Sequence, residues 1–265
     1  MRRMRWLNAM VIGLLLVGCG TTEPEDPGDP PVLPLLESLV FDTETFPSSS
    51  GAAAPRAPAR QSPGGTHHTA AAWRVLAINV GVALHLAVPV GTWGALVSER
   101  PTFENGQWHW TASRDVLGVP YTGDLTAYED AGDVVAEVRI SSPAVQDFLW
   151  YRGRARIGGA TGQWEIFDAN VPSTPTVVAT IDWSHPSSDV WTLTFTAVGG
   201  PNPGDQLTYE VDGTHREISW YDASEDVTAV IEWNALTRDG SIMVPGYNNG
   251  AQACWDGTLQ NVACP

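Results

Sequence analysis

The sequence predicts a mainly β fold: an antiparallel meander that forms a barrel or half-barrel, with one apolar N-terminal helix packed in or against it. Three observations support this prediction. From Gln107 onward, apolar and polar residues alternate with a period of two, which is typical of strands with one buried face. Short glycine-containing turns separate these runs, which favours hairpins. One long apolar run, at residues 69–88, precedes the strands.

The first residues of the chain fall into three zones. Arg2, Arg3 and Arg5 form a positive start, residues 6–17 are apolar apart from Asn8, and residues 16–19 read Leu-Val-Gly-Cys. These zones are those of a signal peptide, and the apolar zone is shorter than the ~20 residues that a membrane span needs.

The Leu-Val-Gly-Cys ending resembles the lipobox of bacterial lipoproteins. The resemblance implies that residues 1–18 are a signal peptide and that Cys19 receives lipid and becomes the first mature residue. Gly20 stands where inner-membrane lipoproteins often carry aspartate, which favours the outer membrane or cell surface, with the domain facing the periplasm or the exterior. The alternative is an ordinary signal peptide with an incidental cysteine.

The segment at residues 19–65 is rich in proline, serine and alanine. Such a composition buries too little apolar surface to offset the entropy of ordering, so we expect a lipidated, disordered tether. One island within it, Val32 to Phe41, is apolar enough to dock transiently on the domain. Residues 66–265 are then a single helix-plus-β domain, which is within the size range of one all-β unit.

The apolar run at residues 69–88 fits a helix, with Thr66 or Thr69 as its N-cap. Alternation would also allow a strand, but the alanine content and length favour the helix. Pro89 should end or kink it, with a resumption to Ser98. Five apolar residues of this run fall at the spacing of one helix face: Trp73, Leu76, Ala77, Val80 and Leu84. Because the run is almost wholly apolar, we expect it to be buried; a second membrane span is the alternative, and Arg74, Asn79 and His85 argue against it.

Four later runs show the clearest alternation, and glycine pairs stand at or between them. The apolar members are Val134, Ala136, Val138 and Ile140; Val177, Ala179, Ile181 and Trp183; Trp191, Leu193, Phe195 and Ala197; and Val227, Ala229, Ile231 and Trp233. The predicted turns are Asn105-Gly106, Gly158–Gly162, Asp212-Gly213 and Asp239-Gly240. Gly106-Gln107-Trp108 resembles Gly162-Gln163-Trp164, which indicates a repeated hairpin within one curved sheet.

This layout is similar to that of envelope lipoproteins without an assigned activity. The predicted architecture also resembles the lipoprotein-carrier half-barrels of the bacterial envelope. Neither resemblance implies an activity, since one fold serves many functions.

The chain is strongly acidic, with 30 acidic residues, 14 arginines, no lysine and a formal net charge of −16. Nucleic-acid binding requires the opposite sign. An anionic membrane surface would also repel the domain, so the N-terminal lipid must provide the membrane attachment.

Cys254 and Cys264 remain once Cys19 is assigned to lipid. An exported compartment favours a disulfide between them, with two free thiols as the alternative. A two-residue turn at Asp256-Gly257 would place Cys254 opposite Leu259, so the disulfide requires a wider or bulged terminal loop.

Arg152, Arg154 and Arg156 should project from one face of a strand. Three guanidinium groups in a row are a candidate anion-binding site for phosphate or carboxylate groups. The favoured alternative is cross-strand pairing with Glu137 and Glu165.

The eleven tryptophans after Trp6 are interpreted mainly as core and alternatively as the lining of a ligand cavity. Two acidic turns, Glu129–Asp133 and Asp222–Asp226, lack the ligand order of a calcium loop and are interpreted as solvated hairpins. No catalytic motif, metal site or cofactor site is predicted.

We therefore expect a non-enzymatic cell-envelope lipoprotein with a structural or partner-binding surface. The alternative is a carrier or sensor that holds a hydrophobic ligand in a barrel cavity. The expected partners are the membrane, through the lipid, and either an envelope protein or an apolar ligand.

Overall fold

A computed structural model describes residues 28–41, 43, 45–47 and 66–265, apart from the side chains of residues 81–85. The regular elements in these ranges are α1 (His67–Leu96), β1 (Thr102–Glu104), β2 (Gln107–Val116), β3 (Val119–Asp130), β4 (Asp133–Ser141), β5 (Phe148–Arg156), β6 (Thr161–Phe167), β7 (Val177–Ser187), β8 (Val190–Ala197), β9 (Gln206–Asp212), β10 (His215–Asp222), β11 (Val227–Asn234), β12 (Gly240–Met243), β13 (Ala253–Trp255) and β14 (Asn261–Val262), with 3₁₀ helices at Leu36–Leu39 and Asn248–Gly250. The predicted signal peptide, Cys19 and residues 48–65 lie outside the described residues.

The strands form one antiparallel sheet of fourteen strands in sequence order. This confirms the predicted mainly β meander. β1 and β14 are the two edges, so the sheet is open and corresponds to the half-barrel rather than the closed barrel. Asn105 and Gly106 both have positive φ, 54° and 80°, as a tight primed hairpin turn requires.

α1 begins after the N-cap residue Thr66, whose side chain accepts a hydrogen bond from the Thr69 amide at 3.2 Å. The helix does not stop at Pro89 but continues to Leu96. Side chains support the carbonyl groups near the proline: Thr92 Oγ1 donates to the Val88 carbonyl at 2.7 Å, and the Tyr151 hydroxyl donates to the Pro89 carbonyl at 3.2 Å. These bonds tie the turn around Pro89 to β5, whereas the helical bond that the proline removes is the one to the carbonyl of residue 85.

The sheet curves around α1. The helix contacts β2 and β3 near one edge and β12 and β13 near the other. One stripe of the helix is buried against the sheet: Ala71, Val75, Leu86, Trp93 and Leu96. Among the described residues, no helix combines the length and apolarity needed to cross a membrane.

Part of the predicted tether belongs to the fold. Leu39 is fully buried, Phe41 lies against Tyr209 with ring centroids 6.2 Å apart, and Phe46 lies against Trp233 at 5.1 Å. Ser38 Oγ accepts a hydrogen bond from Trp164 Nε1 at 2.9 Å. The apolar island Val32–Phe41, which we expected to dock on the domain, thus packs against the sheet, because its apolar side chains supply burial. We call α1 together with residues 28–41, 43 and 45–47 the cover of the sheet.

Beneath the cover, tryptophans lie directly over glycines of the neighbouring strand. In the register of the sheet, Gly153 faces Trp164, Gly162 faces Trp183 and Gly240 faces Trp255. A Cβ atom on each glycine would stand 2.5, 2.2 and 2.3 Å from the respective indole ring. The missing side chains thus make room for the large rings. Gly162 and Gly240 therefore lie within strands rather than in the turns predicted for them.

Candidate binding surfaces

The space between sheet and cover is filled by aromatic side chains. Trp93, Trp164, Trp233 and Trp255 are each at most 1% exposed. The pocket between α1 and β10–β12, which Ile78, Ile218 and Ile231 help to line, has a volume of about 10 Å³. A carrier of apolar ligands needs a cavity of ~300 Å³ or more. The buried tryptophans are therefore core, and the candidate sites of the described chain lie on its surface.

The arginine row of β5 projects from the outer sheet face, which is the face turned away from the cover. Arg152 Nε lies 3.4 Å from Glu137 and 3.7 Å from Glu165, on the flanking strands β4 and β6. The Arg152 guanidinium also lies over the ring of Phe167, 5.4 Å from its centroid. This is the cross-strand pairing that the sequence favoured.

The other two arginines pair with the acidic turn between β3 and β4. Arg154 contacts Asp130 at 2.8 Å and Asp133 at 3.3 Å, and Arg156 contacts Asp133 at 3.4 Å. These hydrogen bonds and charges raise the pKa of Arg154. All three guanidinium groups thus have carboxylate partners within the protein, which supports the pairing interpretation of the row over anion binding.

A shallow groove of about 250 Å³ runs beside this row, and its floor alternates acid and base. It is lined by Tyr128, Val135, Glu137, Arg152, Arg154, Gln163 and Glu165. Since two carboxylates and two guanidinium groups line it, the groove has no net sign that would select an anionic or a cationic ligand.

A second polar row crosses β9, β10 and β11 on the same outer face. Glu217 is directly paired with Glu210 on one side and with Glu232 on the other. His215, Glu217 and Glu232 place a ligand atom each within 4.8 Å of one another. Ser241 donates a hydrogen bond to Glu232 at 2.7 Å. Like charges directly opposite in a sheet repel.

Burial and the charges of Glu210 and Glu232 raise the pKa of Glu217. Glu217 therefore takes up a proton more readily than an exposed glutamate does. Sequence inspection missed this group. The pattern His215-x-Glu217 indicates two side chains on one face of a strand, but Glu232 joins them only through the register of β10 with β11.

The cover carries a third surface, and this one is apolar. Trp73 is 37% exposed, Leu76 is 40% exposed and Val80 is 52% exposed. We expected these residues to be buried with the rest of the helix, and that expectation is wrong. The buried stripe of α1 lies on the opposite side of the helix, at Ala71 and Val75.

The neighbouring part of the cover adds to the same surface. Val32, Leu35 and Leu36 are 65%, 49% and 37% exposed. Leu36–Leu39 contacts α1, while Ser38 and Leu39 face the sheet. The exposed residues of this stretch therefore point away from the sheet, as do those of α1. We call Val32, Leu35, Leu36, Trp73, Leu76 and Val80 the apolar cover face.

No family model, curated protein or solved structure matches this chain. Three features of the described residues bear on function. These are the filled interior, the two charged rows on the outer sheet face and the apolar cover face.

The remaining predicted site residues are the cysteines. Cys254 and Cys264 are bonded, with Cα atoms 5.2 Å apart. Cys254 pairs with Val262 across β13 and β14, so the connecting loop spans residues 256–260 and is wider than a two-residue turn, as the disulfide required. Cys19 lies outside the described residues.

Proposed function

We propose that this chain is a non-enzymatic lipoprotein of the bacterial cell envelope that acts through its surface. In this proposal, export removes residues 1–18, lipid on Cys19 holds the protein at the outer membrane or cell surface, and the β domain faces the periplasm or the exterior. The lipobox-like residues Leu16–Cys19 support the anchor. The domain then contributes a rigid surface rather than an internal ligand site.

The observation that carries the surface-based function is the filled interior. Four tryptophans and the cover occupy the space in which a carrier would hold its ligand. The crevice of about 10 Å³ between α1 and the sheet is too small for a lipid or a comparable apolar ligand. A carrier function would require the cover to leave the sheet, which would expose Trp93, Trp164 and Leu39.

The anchor is tested by labelling cells with a palmitate analogue. We expect label on the wild-type chain and none on Cys19→Ser, because only the cysteine thiol of a lipobox accepts the lipid. Equal labelling of both would refute the anchor. Cys264→Ser is the matched control, since it also replaces one cysteine by serine but leaves the lipobox intact.

The surface-based function is tested by native mass spectrometry of the lipidated chain purified from its own host. We expect the mass of the acylated protein without an additional small molecule. A stoichiometric apolar ligand that remains bound would favour the carrier alternative and refute the interpretation of the interior as a solid core.

A further inference from the structure

We infer that the apolar cover face rests on the lipid bilayer to which the chain is anchored, so that the domain lies against the membrane with α1 in the interface. This inference rests on the proposed anchor at Cys19. The apolar cover face would make a second, non-covalent membrane contact. This contact would set the orientation of the domain, which the anchor alone does not do.

α1 carries almost no charge, on its outward side as well as its buried side. The chain has 30 acidic residues, yet none lies in α1, whose only arginine is Arg74. Trp73, Leu76 and Val80 point away from the sheet, and polar side chains at these positions would cost the fold nothing. A helix that is apolar on every side is expected only where both sides are out of water. The outward side of α1 therefore indicates a contact that removes it from solvent.

The stretch that precedes α1 also carries exposed apolar residues. Val32, Leu35 and Leu36 are exposed, and Leu36–Leu39 contacts α1. Trp220, at 43% exposure, lies beside Arg74 and Ile78 on the other flank of α1. Large contiguous apolar patches on soluble proteins mark interaction sites for proteins or membranes. Exposed tryptophans at the rim are typical of surfaces that lie at a membrane–water interface.

The chain between the proposed anchor and the packed segment is short, which favours the bilayer as the partner of the apolar cover face. Pro34, the first buried residue of the described segment, lies fifteen residues after Cys19. Fifteen residues span at most about 50 Å when fully extended. A lipid on Cys19 therefore keeps Val32, Leu35 and Leu36 within reach of the membrane surface. These exposed apolar residues are close in sequence to the anchor.

The charge of the protein defines the kind of membrane contact. The full sequence has a net charge of −16, and export would remove three of its arginines, so the mature protein gains nothing from anionic lipid headgroups. The contact must come from burial of apolar side chains in the interface, as in monotopic helices. We therefore expect the contact on neutral phosphatidylcholine, and we expect phosphatidylglycerol to weaken it or to leave it unchanged.

The test uses the full lipidated chain, reconstituted into phosphatidylcholine vesicles whose acyl chains carry bromine. Bromine quenches tryptophan fluorescence only at close range, so a tryptophan in the interface loses intensity. We expect quenching in the wild type that is clearly reduced in Trp73→Phe, with Trp220 accounting for the remainder. Trp150→Phe is the matched control: this half-buried tryptophan lies on β5, away from the cover, and its loss should leave the quenched fraction unchanged.

A second pair of variants tests the contact without removing a fluorophore. Val80→Asp places a carboxylate on the apolar cover face, and we expect at least a two-fold loss of quenching. Leu236→Asp makes the same change at a turn residue that is 77% exposed, and we expect no loss. Neither position is buried, so both variants should fold.

The outcomes separate the inference from the proposed function. Intact mass reports whether the chain is acylated, and an unacylated chain would refute the anchor and, with it, the placement argument. An acylated chain whose quenching is the same in the wild type and in Trp73→Phe would refute the inference alone. That result would mean that a protein or another part of the chain covers the apolar face.

Discussion

The contact between Gly153 and Trp164 gives the sharpest prediction about stability. A Cβ atom at residue 153 would lie 2.5 Å from Trp164 Cζ3 and 2.8 Å from two further ring atoms. Ordinary carbon contacts are about 3.5–4.0 Å, so the indole would have to move by roughly 1 Å. Gly153→Ala therefore forces either the ring or the strand out of place.

The indole ring has no room for this movement. Trp164 is fully buried, with Trp93 at 4.9 Å, Trp183 at 5.7 Å and Tyr151 at 5.8 Å between ring centroids. Its Nε1 group also donates the hydrogen bond to Ser38. Overpacking of this kind costs about 1–3 kcal/mol, and loss of the hydrogen bond adds about 1 kcal/mol. We expect Gly153→Ala to lower the free energy of unfolding by about 2–4 kcal/mol.

Gly94→Ala is the matched control, because it adds the same methyl group in α1 where no atom lies within 4 Å. Alanine is preferred over glycine in a helix by about 0.5–1 kcal/mol, so this variant should be more stable than the wild type. Urea unfolding, followed by tryptophan fluorescence and far-UV circular dichroism, measures both free energies. Equal stability of the two variants would show that Trp164 does not lie over Gly153.

A double-mutant cycle identifies the partner. In a Trp164→Leu background the indole is absent, so the cost of Gly153→Ala should largely disappear even though the background itself is destabilised. If the two costs simply add, the methyl group clashes with another neighbour.

Three further predictions concern pH and the disulfide. Glu217→Gln should raise the free energy of unfolding at pH 7, because burial and the facing carboxylates raise the pKa of Glu217 and make its ionised form unfavourable in the fold. As the pH falls from the raised value toward 4.5, the folded protein binds the proton first, so the advantage of the variant should shrink and be lost near pH 4. Burial, together with the charge of Arg238, lowers the pKa of His68 against the opposing hydrogen bond to the Pro47 carbonyl. The stability that His68 contributes should therefore be complete above about pH 6.5 and decline as the pH falls below it, with a smaller decline in His68→Gln when unfolding is measured at pH 7.5 and 5.5. Reduction of Cys254–Cys264 should add two hydrogens to the intact mass, and Cys264→Ser should cost about 3 kcal/mol for a loop of this length, whereas an unchanged mass would mean free thiols.

The sheet could be predicted because the evidence for it is local. Alternation with a period of two assigns Ile181 and Trp183 to one face and Asp182 to the other without any knowledge of the partner strands. The partners of Arg152 were also within reach, because short hairpins make sequential strands neighbours. Glu137 and Glu165 then had to flank it, and they do.

The orientation of α1 could not be predicted in the same way. A helix with one apolar stripe reveals its buried side, but α1 is apolar around its whole circumference. Helical spacing relates Trp73, Leu76 and Val80, and it relates Val75, Leu86 and Trp93 equally well. Only contacts with distant strands decide between the two stripes, and these contacts depend on the curvature of the complete sheet.

The packed segment at residues 28–47 could not be recognised from composition either. Its prolines are typical of a mobile linker, but Pro34 and Pro47 are buried and the Pro47 carbonyl accepts a hydrogen bond from His68 at 2.6 Å. Proline loses little backbone entropy on folding, so a few buried apolar side chains such as Leu39 and Phe41 suffice to order the stretch. Average composition conceals such anchoring residues because they are few.

The packed segment changes what a lipid on Cys19 would do. A tether that ran from Cys19 to Gly65 would contain 46 peptide links and would reach up to about 150 Å, far enough for the domain to work at a distance from its membrane. With the chain packed from Pro34 onward, only fifteen links remain, with a reach of about 50 Å. A short connection of this kind suits a domain that works at the bilayer surface and is poorly suited to a long-range search for partners. For the same reason, the ring contacts of Phe41 and Phe46 that hold the segment to the sheet would also set the distance between domain and membrane.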